Sequence, residues 1–191
     1  MKITLARLFE LLETHGNGRY GLSDVTQLDH ALQSAALAAD RLLGEEIVVA
    51  ALFHDVGHLL ADVDVSLADD GIDDRHEETS ADMLEPIFGR AVSEPVRLHV
   101  AAKRYLCGSN PAYFEKLSQD SRTSLAVQGG PMTALEIAAF DRLDGRAAAL
   151  ALRIIDDEAK IVGLRTPDLT SYREMAARLE RAHHHAPGRG D

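Results

Sequence analysis

The sequence predicts an all-α protein, a single helical bundle with a metal site at its centre. Apolar residues recur at helical spacing along almost the whole chain, and no stretch alternates in the way a β-strand does. Neither an internal repeat nor a linker divides the 191 residues, which suffice for one domain with its own core. We expect residues 1–182 to form this domain and residues 183–191 to be a disordered tail.

The first two helices are predicted from an apolar stripe and from residues that begin or end helices. The stripe over residues 2–13 stops at the glycine turn of residues 16–18. Ser23 can cap a second helix that runs to about Leu43, and Gly44 would end it.

The third helix is predicted to be central and buried. Glu45 and Glu46 would lie at its positive end, and residues 47–53 are apolar on all sides. His54 and Asp55 follow directly, so we expect this buried helix to carry two adjacent metal-ligand side chains.

The rest of the chain is predicted to be helical beyond an acidic loop at residues 62–74. The further helices are expected at residues 77–88, 94–106, 111–117, 133–144, 146–161 and 170–182.

Charge and cysteine content exclude several classes of function. The net charge of −11 repels polyanions, which argues against nucleic acid or an anionic membrane as a partner. The lone Cys107 excludes an internal disulfide and fits a reducing compartment. Neither a signal pattern nor an apolar run of membrane-spanning length is visible, so we expect a cytoplasmic protein.

Six residues in the predicted helices are candidate metal ligands. Imidazole and carboxylate together suit Fe, Mn or Zn, and six ligands exceed what one ion needs once substrate and water bind. The sequence therefore predicts two metal ions. The candidate ligands are His30, His54, Asp55, His76, His99 and Asp156.

Polar residues lie three or four positions from several of these ligands and so share their helix faces. Lys103 follows His99, and Arg153 precedes Asp156. Such a pocket would suit a small, highly charged anion. Each observation has an ordinary alternative: a lone histidine can be a hydrogen-bonded core residue, and the charged residues among 153–160 can form a solvated face with salt bridges. The order of residues favours a site on Arg153 and Asp156, with Asp157 and Glu158 outside it.

Six short motifs follow one another in chain order around the candidate ligands. They are residues 27–30, 54–58, 102–106 with His99, 116–118, 128–130 and 153–160. This ordered set resembles the motifs of the HD-domain, mixed-valent di-iron oxygenases that cleave 1-hydroxy-2-aminoethylphosphonates. The resemblance covers residues 20–160, and the ordered set is more specific than the His-Asp pair alone.

The resemblance implies a role for each candidate ligand. Asp55 would bridge two irons, in the Fe(II) and Fe(III) states, with O2 as co-substrate. One iron would be held by His30, His54 and Asp156, and the other by His76 and His99.

The resemblance also implies which residues bind the substrate. His58 would lie near the substrate hydroxyl and position it or relay a proton, and Tyr20 would close over the site. The residues that match phosphonate-binding positions are Lys103, Ser121, Ser124, Gln128 and Arg153.

Ser23 bears on the choice of substrate. It stands where the 2-amino-1-hydroxyethylphosphonate enzyme has a glutamate that contacts the amine. A trimethylammonium group needs no hydrogen-bond acceptor, so Ser23 favours (R)-1-hydroxy-2-(trimethylammonio)ethylphosphonate, with glycine betaine and phosphate as products. The 2-amino analogue, giving glycine and phosphate, stays open, and an upstream hydroxylase is implied as a pathway partner.

Two other classes of function remain possible from the sequence. An HD phosphohydrolase would use a metal-bound hydroxide and needs fewer histidines and no redox metal. A regulatory HD-like domain would hold no metal, although the complete ligand set argues against this. The sequence indicates no oligomeric state.

Overall fold

The computed structural model describes residues 3–20, 24–60 and 74–185. Within these ranges the chain forms ten α-helices and two 3₁₀ turns, and pairing of the strand type is limited there to one bridge between Arg19 and Thr26. The α-helices are α1 (Leu5–His15), α2 (Gln27–Asp40), α3 (Glu45–Phe53), α4 (His76–Phe88), α5 (Arg90–Ser109), α6 (Pro111–Lys116), α7 (Gln119–Val127), α8 (Ala134–Phe140), α9 (Arg146–Glu158) and α10 (Arg173–His185). The prediction of an all-α bundle is confirmed.

Helix α3 lies at the centre of the bundle, as its apolar sequence predicts. Residues 48–53 are all buried, and the helix packs against α2, α5, α9 and α10. Phe53 contacts Phe9 of α1 edge to face, with ring centroids 5.3 Å apart. The sequence predicts His54 and Asp55 within this helix, but α3 ends at Phe53. Because that end lies inside the core, the two residues that follow it also lie in the interior.

The second helix begins later than predicted. Its cap is Thr26, whose hydroxyl accepts from the backbone N–H of Asp29, while the Asp29 carboxylate accepts from the backbone N–H of Thr26. This reciprocal capping box satisfies two amide donors at once. Ser23 lies outside the described residues.

Helix α7 was missed by the sequence prediction. It is short and polar, and only Ser121 and Leu125 are buried, so it has no apolar stripe to detect. Its start is nevertheless encoded, because Ser118 accepts a hydrogen bond from the backbone N–H of Ser121.

The last helix extends beyond its predicted end. α10 continues to His185, whereas residues 183–191 were expected to be a disordered tail. His183 packs against Gly89 so closely that a Cβ built there would lie 2.7 Å from its Nδ1. This contact explains why the helix persists, and residues 186–191 lie outside the described residues.

No helix in the described ranges is both long enough and apolar enough to cross a bilayer.

Candidate metal centre and active site

The first group of candidate ligands comes from three helices. His30 lies on α2, His54 directly follows α3, and Asp156 lies on α9; all three are buried. The Nε2 atom of His30 is 3.2 Å from Nε2 of His54 and 3.3 Å from Oδ1 of Asp156. Three donor atoms of suitable type thus converge on one point, as a metal site requires.

The second group consists of Asp55, His76 and His99. His76 is the first residue of α4, and His99 lies in the middle of α5. Their Nε2 atoms are 3.2 Å apart, and Oδ1 of Asp55 lies 3.5 Å from His76 and 3.8 Å from His99.

Asp55 faces both groups with different oxygens. While Oδ1 points to the second group, Oδ2 lies 3.3 Å from Nε2 of His54 and 3.8 Å from Nε2 of His30. Oδ1 is buried and accepts no hydrogen bond from any residue that the structure describes. A carboxylate in this position can join two cations.

The four imidazole rings are all oriented through Nδ1. Each Nδ1 lies within hydrogen-bond distance of an oxygen that can only accept, so in the neutral ring Nδ1 carries the proton and Nε2 carries the lone pair. The pairs are His30 with the carbonyl of Ala159 at 2.8 Å, His54 with that of Ala51 at 2.9 Å, His99 with that of Val96 at 2.7 Å, and His76 with Oδ1 of Asp74 at 2.9 Å.

This orientation tests whether the residues fit a metal pair. Two neutral rings would repel if their Nε2 lone pairs faced each other across 3.2 Å with neither a proton nor a metal ion between them, and both Nε2 pairs have this spacing. A cation between them removes the repulsion, and two cations also give Asp55 Oδ1 a partner. The donor set therefore fits two metal ions.

The electrostatics of the centre point the same way. Burial raises the pKa of Asp55 and of Asp156, but neighbouring positive charge outweighs it and holds both values well below the usual range. Burial lowers the pKa of His54, yet the charge of Asp55 outweighs it and raises that pKa to about 9. Two ionised carboxylates in the core thus attract positive charge, which can be the proton held by His54 or a metal ion in its place.

Tyr20 lies directly on the first ligand group. Its ring stacks on His30 with centroids 3.8 Å apart, and its hydroxyl donates to Oδ1 of Asp156 over 3.2 Å. Lys160, on the far side, has its Nζ 3.4 Å from the same oxygen and 5.3 Å from the Tyr20 ring centroid. This is the position expected of a residue that closes over the site.

Lys103 is a buried cation beside the centre. Only 3% of the residue is exposed, and its Nζ donates to Oγ of Ser124 over 2.7 Å. Burial and the nearby charge of Arg153 lower the pKa of Lys103 to about 7. An ammonium group with donors to spare, in a dry position, is suited to a bound anion.

Arg153 has most of its donors engaged. Its guanidinium donates to Asp156 over 2.6 Å, to the hydroxyl of Tyr113 over 3.1 Å and to Oγ of Ser121 over 3.4 Å, and it also pairs with Asp157. The sequence favours a site that leaves Asp157 out, whereas in the structure this carboxylate lies one helical turn from Arg153 and pairs with its guanidinium. Arg153 therefore links the first ligand group to the predicted anion pocket.

The remaining predicted substrate residues differ in how they are placed. Ser121 and Ser124 lie in the same cluster as the two cations. Gln128, at the end of α7, has no described hydrogen bond to that cluster, and its buried Oε1 has no partner in the described part of the chain. Ser23 cannot be located, for it lies outside the described residues.

Asp74 is a site residue that sequence reasoning missed. It ends the acidic run that was interpreted as a solvated loop, yet it contacts both His58 and His76. The ring of His58 also stacks on that of His76, with centroids 4.0 Å apart. The only signal in the sequence was the position of Asp74, two residues before a candidate ligand.

Comparison with known proteins places the chain in a family. The HD-domain profile matches residues 28–164, a range that contains all six candidate ligands. The chain belongs to the HD-domain family.

Two curated relatives narrow this assignment. The chain is 48% identical to hydroxymethylphosphonate dioxygenase of Gimesia maris, over 86% of its own length and 82% of the relative's. It is 39% identical to the glycine-betaine-forming [1-hydroxy-2-(trimethylamino)ethyl]phosphonate dioxygenase of Leisingera caerulea, over 91% and 88%. The predicted resemblance to the phosphonate oxygenases of this family is confirmed, and the chain groups with these enzymes, not with phosphohydrolases or metal-free regulatory domains.

Proposed function

We propose that this protein is a di-iron dioxygenase that breaks the C–P bond of a 1-hydroxyalkylphosphonate and releases phosphate. The observation that carries the proposal is the pair of ligand groups that share Asp55. A buried, nearly unpartnered ammonium group on Lys103 lies beside them. Both curated dioxygenases are named for phosphonates that carry a hydroxyl group on the carbon bonded to phosphorus.

Iron is the metal that agrees with both the ligands and the relatives. Four imidazoles and two carboxylates suit iron, manganese or zinc, but a dioxygenase needs a redox-active metal. His30, His54 and Asp156 would hold one iron, His76 and His99 the other, and Asp55 both. When bound, the irons supply the redox chemistry by which one O2 oxidises the hydroxyl-bearing carbon to a carboxylate while the C–P bond breaks.

Lys103 and its neighbours would hold the phosphonate. Among the described residues the ammonium group of Lys103 donates a hydrogen bond to Ser124, so two of its three donors can bind phosphonate oxygens. The hydroxyl of Ser121 can add a donor, while Arg153, neutralised by two carboxylates, contributes a fixed N–H donor more than net charge. We assign Gln128 to the edge of this pocket, where its side chain has an unused acceptor.

His58 would act on the substrate hydroxyl. Its Nδ1 is 2.8 Å from Oδ2 of Asp74 and donates to it, which leaves the lone pair of Nε2 as an acceptor. Tyr20 covers the centre from the opposite side and would exclude water during the reaction.

The group attached to the hydroxyl-bearing carbon is the open part of the substrate. The relative with 48% identity acts on a substrate with no further group, and the relative with 39% acts on one with a trimethylammonium group. The serine at position 23 favours the latter over a primary amine, because a buried carboxylate is absent from the sequence there. A hydroxylase acting on the parent phosphonate would supply either substrate.

The experiment is to compare phosphate release by the iron-loaded protein from three compounds in air. These are hydroxymethylphosphonate, the trimethylammonio compound and its 2-amino analogue. We expect the 2-amino compound to have the lowest kcat/KM and Ser23→Glu to raise it relative to the trimethylammonio compound. A wild type that prefers the primary amine would contradict the assignment of Ser23, and phosphate release from none of the three would contradict the function itself.

A further inference from the structure

The carboxylate of Asp74 lies between two histidines to which different roles are assigned. Its Oδ1 is 2.9 Å from Nδ1 of His76, a candidate metal ligand, and 3.3 Å from the backbone nitrogen of the same residue. Its Oδ2 is 2.8 Å from Nδ1 of His58, the residue assigned to the substrate hydroxyl. Both oxygens are thus used, one for each ring.

His76 needs such a partner because of where it stands in its helix. His54 and His99 are oriented by carbonyls three residues earlier, from Ala51 and Val96. His76 is the first residue of α4, so no earlier turn of that helix can offer a carbonyl to its ring. The side chain of Asp74 supplies the acceptor that the helix cannot.

The same contact fixes the chemistry of His58. Because the carboxylate accepts from Nδ1, the neutral tautomer with a bare Nε2 is stabilised, and that atom can accept a hydrogen bond from the substrate hydroxyl. The ring plane is fixed as well, since His58 stacks on His76 with an interplanar angle of 22°.

We propose that Asp74 is a positioning residue that orients a metal ligand and the substrate-side histidine at once. It makes Nε2 of His76 available to the metal and Nε2 of His58 available to the substrate hydroxyl. The part that concerns His58 rests on the proposed function, whereas the part that concerns His76 rests on the metal centre alone.

The test compares Asp74→Asn and Asp74→Glu with Asp82→Asn, which removes a carboxylate from an exposed position on α4. An amide can accept from only one of the two rings, so Asp74→Asn should lower kcat and iron affinity by about 10- to 100-fold each. The KM for the phosphonate should change much less, because the described contacts of Asp74 are with His58 and His76 and not with Lys103. Asp74→Glu should recover part of both losses, and Asp82→Asn should match the wild type.

A double-mutant cycle with His58→Ala separates the two roles. In the His58→Ala background, Asp74→Asn should lower kcat by far less than in the wild type but should weaken iron binding equally. Wild-type kcat and iron affinity in Asp74→Asn would overturn the proposal. If Asp74→Asn lowers kcat by the same factor in the His58→Ala background as in the wild type, the role of Asp74 toward His58 is overturned.

Two further measurements distinguish a loss of function from a loss of folding. Circular dichroism and the melting temperature of the iron-loaded variants show whether the fold is intact, and if Asp74→Asn fails to fold, Asp74→Glu and its iron affinity decide. If the wild type cleaves no hydroxyphosphonate, the proposed function fails, while iron affinity still tests the role toward His76.

Discussion

At the scale of single residues, the choice of ring nitrogen that donates a hydrogen bond determines which nitrogen of each imidazole is available to a metal ion. Four carbonyl or carboxylate oxygens accept from Nδ1, and all four Nε2 lone pairs therefore face inward. The two ionised carboxylates Asp55 and Asp156 lie among them. Either protons or metal ions must lie between the paired rings, and Asp55 faces both groups, so we expect the metal pair to replace those protons and to bind cooperatively with Asp55 as the shared ligand.

Replacing Asp55 by alanine should remove both irons and the activity, because one oxygen faces each ligand group. Iron per chain and turnover are the measurements, with exposed Asp82→Ala as the control. Retention of two irons by Asp55→Ala would show that the carboxylate does not bridge.

Lys103 should make substrate capture depend on pH. Burial lowers its pKa to about 7, so the ammonium form that attracts a phosphonate is lost as the pH rises through that value. In the wild type, kcat/KM should fall between about pH 7 and 9 through loss of this charge. Lys103→Arg should be flatter over the same range, since a guanidinium stays charged.

The control for Lys103 is Lys116→Ala, which removes an exposed charge on α6. Lys103→Ala should lower kcat/KM by roughly 10- to 100-fold, the value of one hydrogen bond to a charged group, with iron content unchanged. A pH profile of kcat/KM that is the same in wild type and Lys103→Arg would contradict the role assigned to this ammonium.

The candidate metal ligands could be predicted from the sequence because of their residue types. The residues that orient other side chains of the site could not be predicted in this way. The six candidate ligands stand out because histidine and aspartate are unusual beside apolar helix residues. Asp74 and Asp157 did not, because each lies in an acidic run in which nothing distinguishes a buried carboxylate from a solvated one. Only the fold brings Asp74 against His58 and Asp157 against Arg153.

At the scale of elements, the apolar stripes predicted most helices and the polar helix α7 escaped prediction. α7 matters because it carries Ser121 and Ser124 to the two cations. The end of α9 matters equally, since Ala159 orients His30. This end is fastened by Gln33 of α2, whose buried amide donates to the carbonyl of Ile161 over 2.8 Å and accepts from its N–H over 2.9 Å.

Gln33→Ala should therefore destabilise both the fold and the first metal site. Loss of the two hydrogen bonds should cost about 1–3 kcal/mol of unfolding free energy, or roughly 2–10 °C in Tm for a chain of this size. Thermal melting checks this, with the exposed Gln119→Ala as the control. Equal melting temperatures for Gln33→Ala and the wild type would show that the α2 to α9 fastening is dispensable.

At the scale of the whole molecule, the proposed metal centre lies where several helices of the bundle meet. The candidate ligands come from α2, α4, α5 and α9 and from the two residues that follow α3. The chain carries a net charge of −11, so a phosphonate is attracted only by the local cations and not by the overall field.

Removal of the metals by a chelator should consequently lower the stability of the whole domain. Metal present at a thousand times its dissociation constant adds about 4 kcal/mol, which corresponds to roughly 10 °C in Tm. Differential scanning calorimetry of the loaded and stripped protein measures this shift. Asp55→Ala should melt at the same temperature with and without iron, and an insensitive wild type would contradict the structural role of the centre.

The most direct test of the central claim is the ratio of O2 consumed to phosphate released by the iron-loaded protein with a 1-hydroxyalkylphosphonate. An oxygenase that breaks the C–P bond oxidatively predicts one O2 per phosphate and no phosphate without oxygen. Phosphate release at an unchanged rate under anaerobic conditions would contradict the account and identify a hydrolase.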